Sequence, residues 1–162
     1  MSEHGWGGGT VTQGPALELD DIQSGALQER PSPYVGTYLL LRIDDRAAGR
    51  ELVRRLHRLA RAQHGAANPD QETSVTVAFS YHGLAALGVP QSSLESFAPE
   101  FRDGMAARAV ELGDVGPNAP ENWEKPLGTS DVHVAVAALS PDAARHQAAV
   151  ERARRWVARC RP

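Results

Sequence analysis

The chain has 162 residues, 41% of them apolar and 23% charged, with a formal net charge of −3. That is enough chain to bury one core, and a charge too small to draw the whole molecule to nucleic acid or to a membrane surface. A single cysteine, Cys160, excludes an internal disulfide and any multi-cysteine metal site, and such usage suits a reducing, cytoplasmic location.

Residues 1–16 read as a flexible lead-in, because Gly5 and Gly7 to Gly9 offer little to bury. The opening has neither the basic start nor the apolar stretch of a signal peptide, and no apolar run is long enough to span a bilayer. LELDDIQSGAL (17–27) follows as an acidic, turn-forming segment. TYLLLRI (37–43) predicts a first strand, its almost unbroken apolar character pointing to burial on both faces. Asp44 and Asp45 are cap candidates for a helix to about His64, with Leu52, Val53, Leu56, Leu59 and Ala60 on one stripe. Arg46, Arg50, Arg54, Arg58 and Arg61 take its other side.

TSVTVAFS (73–80) predicts a second strand with Val75, Val77 and Phe79 on one face. YHGLAALGVP reads as a helical turn ended by Gly88 and Pro90, and Pro99 opens a single helix through PEFRDGMAARAVELG. A third strand is predicted over Asp131 to Leu139, with Val132, Val134 and Val136 inward and His133, Ala135 and Ala137 on the other face. Ser140 and Pro141 start a last helix to about Ala158. The order predicts an α+β, ferredoxin-like βαββαβ plan with a helical insertion between strands two and three and the last strand missing. Residues 17–162 would then form an incomplete domain, the front piece of something longer.

No complete active site emerges from the residues. His57 and His64 have no second ligand at helical spacing, His82 falls in a turn and His4 in the lead-in. His146 lies on the apolar stripe of the last helix and reads as a partly buried side chain. His133, flanked by small neighbours on its strand face, reads as structural. Glu18, Asp20 and Asp21 do not have calcium-loop spacing; Ser24 is not in a nucleophile elbow, and Cys160 sits near a frayed end. The basic faces of the arginine-rich helices lack interleaved aromatics, so they read as solvated faces and nucleic acid is not an expected partner.

Five segments resemble, in order, the N-terminal part of the dye-decolorising (DyP-type) haem peroxidases. They are LELDDIQSGAL, TYLLLRIDDRAAGRELV, VTVAFSYHGLAALGVP, SFAPEFRDGMAARAVELGD and NWEKPLGTSDVHVAVAAL, spanning about residues 17 to 139. The resemblance implies two ferredoxin-like halves in the parent enzyme. It also implies haem b, hydrogen peroxide as oxidant and a dye or small phenolic-type aromatic as reductant. The family's distal aspartate lies in a GxxDG motif, with an arginine and a proximal histidine further along. This chain contains no GxxDG; Gly113 to Pro117 reads GDVGP, in the wrong order. No catalytic, cofactor-binding or metal residue is therefore assigned here, and the chain alone is expected to bind haem weakly or not at all. Homo-oligomerisation is compatible with the resemblance. The alternative is a non-enzymatic ferredoxin-like module that binds a partner along an open sheet edge.

Overall fold

The computed structural model describes residues 32–60 and 73–159, together with Glu18, Ile22, Gln23 and Ala26. Strand β1 spans Val35–Leu41, helix α1 Arg46–Ala60 and strand β2 Ser74–Phe79. Four short helices follow: α2 (Tyr81–Ala86), α3 (Gln91–Glu95), α4 (Pro99–Ala107) and α5 (Ala109–Leu112). Two 3-10 turns, Gly116–Asn118 and Pro120–Asn122, lead to strand β3 (Val134–Ser140) and helix α6 (Ala143–Arg159).

The sheet order is β1-β3-β2, and both pairings are antiparallel. Val136 pairs with Leu39 on one side and Val77 on the other, so β3 is central. This is the α+β ferredoxin-like plan; among the described residues no strand follows α6 to pair beside β1.

Alternation along β3 sets the layers. Val134, Val136, Ala138 and Ser140 are all buried, toward α1 and α6. The α1 stripe of Leu52, Leu56 and Ala60 packs with Val75, Val77, Val134 and Val136 into one core, and Val157 of α6 closes it. Asp45 caps α1 as its sequence position suggests, accepting the Ala48 N–H at 2.7 Å. At α6 the capping bond comes from Asp142, whose carboxylate accepts the Arg145 N–H at 2.8 Å, two residues after the Ser140 that the Ser-Pro signal implies.

Three expectations are corrected. β1 is not buried on both faces: Thr37, Leu39 and Leu41 alternate with Tyr38, which is 68% exposed. Among the described residues α1 and α6 pack on one face of the sheet, and Tyr38 lies on the other. The single helix expected after Pro99 is broken, since Gly104 takes φ 72° and α4 gives way to α5 at Arg108. A left-handed residue cannot continue a right-handed helix, and glycine adopts it without a Cβ clash. Finally, Gln91–Glu95 forms a short helix where none was expected, its chain entering through Pro90.

Candidate functional site

The junction between the sheet and the insertion is built around His133. Its Nδ1 accepts the backbone N–H of Ile43 at 2.9 Å, while its own N–H donates to the Leu41 carbonyl at 2.9 Å. Its carbonyl accepts the Ser80 N–H at 3.1 Å. Ser80 in turn caps α2, accepting the Gly83 N–H on its hydroxyl at 3.0 Å. A Cβ on Gly83 would overlap the His133 carbonyl, so α2 can lie this close only at a glycine. With Nδ1 accepting, the neutral ring carries its proton on Nε2. His133 thus ties the end of β1 to the start of α2.

Beside this junction the insertion encloses an open cleft of about 800 Å³. Tyr81, His82, Phe101, Arg102, Trp123 and Leu127 are among its walls. The indole of Trp123 is fixed by donating Nε1–H to the Asn118 carbonyl at 2.7 Å. Arg102 Nε is buried without a hydrogen-bond partner. The cleft is wide enough for a small ligand, yet no nucleophile and base face each other across it in hydrogen-bonded contact.

The other described histidines are placed as follows. His146 is 5% exposed, with Nε2 at 2.8 Å from the Thr37 hydroxyl and Nδ1 bonded to nothing. His57 is exposed on α1, and His82 is exposed with its ring edge-on to Tyr81. Glu18 is exposed, whereas His4, Asp20, Asp21, Ser24, His64 and Cys160 lie outside the described residues. Among the described residues no group of three His, Cys, Asp or Glu is placed to hold a metal ion. The basic face of α1 is partly tied down. Arg55 and Arg54 reach Glu51 at 2.8 and 3.3 Å, and Arg50 donates to the Leu87 carbonyl at 2.8 Å.

Gln23 is the contact that sequence reasoning missed. Its amide donates to the Val77 carbonyl at 3.0 Å and accepts the Val77 N–H at 2.7 Å. Nothing in the local pattern of LELDDIQSGAL marks it, because the partner is 54 residues away.

Residues 47–159, well over half the chain, match the family model described as "DyP dimeric alpha+beta barrel domain". The chain belongs to that family. The DyP fold is also that of two similar solved structures. One, described as a crystal structure of DyP, is 20% identical with a TM-score of 0.65 over 85% of this chain and 30% of its own. The other, an ancestral D-type dye decolorizing peroxidase, is 23% identical with a TM-score of 0.65 over 86% of this chain and 31% of its own. The chain therefore spans under a third of either solved DyP chain. No curated protein matches.

The DyP family implies haem, and the described residues do not by themselves fit it. A haem site needs an axial ligand and a closed apolar pocket. His133 Nδ1 and His146 Nε2 are committed to Ile43 and Thr37, while the cleft that His82 borders is open and carries Asp103 and Asp114 in its wall. No helix among the described residues is long and apolar enough to cross a membrane.

Proposed function

We propose that residues 17–162 are the N-terminal ferredoxin-like part of a cytoplasmic DyP-type peroxidase, preceded by a lead-in over 1–16. The assembled enzyme uses hydrogen peroxide to oxidise dyes or phenolic-type reductants at haem iron. In this reading the chain supplies scaffold and no catalytic, cofactor-binding or metal residue.

The observation that supports it is a family match over 47–159 on a sheet whose second face, among the described residues, leaves Tyr38 and Ala78 exposed and Ala135 and Ala137 half-buried. Tyr38 stands 68% exposed, on the face opposite the helices. A sheet with one apolar face uncovered gains by packing that face on another layer. The family's description as a dimeric barrel supports burial of this face, between halves or between copies.

The test is a haem titration of the 162-residue chain and of His133→Ala, followed by Soret absorbance. A weak band, alike in both, is the expected result. A strong band lost in His133→Ala would overturn the reading.

The sheet order favours a second reading, a non-enzymatic ferredoxin-like module that binds a partner along its open sheet edge. Such a module unfolds cooperatively and stays monodisperse alone, whereas a part of a larger enzyme self-associates through its uncovered surfaces. Sedimentation with urea unfolding separates them.

A further inference from the structure

We propose that the cleft walled by α2 and α4 is a binding site for an aromatic carboxylate, with the Arg102 guanidinium as its anion contact and the Trp123 indole as its ring contact.

Arg102 lies in the first turn of α4, its backbone N–H donating to the Ala98 carbonyl at 3.2 Å, and its side chain forms part of the cleft wall. Three arginines among the described residues are half-buried: Arg55, Arg102 and Arg108. Arg55 and Arg108 each hold a carboxylate, Glu51 at 2.8 Å and Glu111 at 3.0 Å. Arg102 holds none, and its Nε is buried with no acceptor. A charged group withdrawn from water without a partner is costly, so an acceptor supplied from the cleft is stabilising. The planar fork of a guanidinium matches a carboxylate.

The rest of the wall calls for a ring. Trp123 is pinned from two sides, by its Nε1–H on the Asn118 carbonyl and by Gly128, where a Cβ would come within 2.7 Å of the indole. A ring already fixed loses little freedom when a ligand stacks on it. Phe101 and Leu127, 37% and 45% exposed, leave apolar surface uncovered beside it. A cleft of about 800 Å³ has room for two fused rings.

Asp103 and Asp114 share this wall, and neither forms an ion pair with Arg102. Asp103 is exposed, so it stays hydrated and gains little from a ligand cation. The two carboxylates oppose a second negative charge, which restricts the ligand to a monoanion. The site rests on this chain's own side chains and holds whether or not the chain serves a peroxidase.

The experiment titrates the 162-residue chain with 2-naphthoate, with the neutral 2-naphthylmethanol and with the cationic 2-naphthylmethylamine. Affinity is read by calorimetry, and the place of binding by the NMR shift of the Trp123 indole N–H. 2-Naphthoate is expected to bind tightest and to shift that signal saturably. Arg102→Gln should weaken 2-naphthoate by roughly tenfold or more, the scale of a hydrogen bond to a charged group, and leave the neutral probe unchanged. Arg102→Lys, which keeps the charge and loses the fork, should fall between. Equal affinity for the three probes, tighter binding of the amine, an unmoved Trp123 signal, or a carboxylate preference that survives Arg102→Gln overturns the site. If Arg102→Gln fails to fold by circular dichroism, the three probes on the unchanged chain decide it.

Discussion

The imidazole Nδ1 of His133 and the backbone N–H of Ile43 meet at 2.9 Å across 90 residues of sequence. This bond closes the chain's turn from β1 toward α1 against the residue that leads into β3. His133→Ala leaves the Ile43 N–H without its acceptor, at an expected cost of about 1–3 kcal/mol. His133→Asn, whose amide oxygen can replace Nδ1 as acceptor, should recover part of it. Urea unfolding of the three proteins checks both statements.

Gly83→Ala should be far more damaging. Its Cβ would overlap the backbone of His133, and a backbone neighbour cannot rotate away as a flexible side chain can. Loss of cooperative thermal unfolding, or dispersed amide signals collapsing in the NMR spectrum, is the expected result.

Thr37 and His146 join β1 to α6 within the protein interior. Thr37→Val removes the 2.8 Å contact and leaves a buried ring with neither nitrogen bonded, costing about 1–3 kcal/mol. Replacing both partners, Thr37→Val with His146→Leu, should cost much less than the sum of the single changes, since no polar atom is then stranded. A double-mutant cycle by denaturant unfolding measures the coupling.

The Glu51 carboxyl is held below its ordinary value of 4.5, first by the hydrogen bond from Arg55 and then by that from Arg54. A depressed folded-state value means that this group's stabilisation is present above 4.5 and fades as pH falls through the folded value. Because the site is exposed, the effect is small and screened by salt. Glu51→Gln should flatten the acid limb of the stability curve slightly, and a carbon-detected NMR titration should show Glu51 titrating below its ordinary value.

Leu56 is 1% exposed at the centre of the core. Leu56→Ala should therefore cost about 2–5 kcal/mol, read as a drop in the unfolding midpoint in urea.

Much of the fold was legible in local pattern. Leu52, Leu56 and Ala60 at helical spacing, and Val134 with Val136 at strand spacing, announce their buried faces because a residue's direction repeats with its own element's geometry. The histidine readings needed more. A structural His133 was an expectation from its strand neighbours, and the Ile43 N–H that its Nδ1 accepts was not legible there.

The sequence by itself determined the three strands and the two long helices, their order, and the buried stripes of α1 and β3, since propensity and periodicity are properties of neighbouring residues. Tertiary structure decided that β3 lies between β1 and β2, that Tyr38 faces solvent, and that Gln23 reaches Val77. Those outcomes depend on which segments come to lie side by side. Backbone N–H and C=O groups are alike at every residue, so their partners are chosen by the assembled geometry.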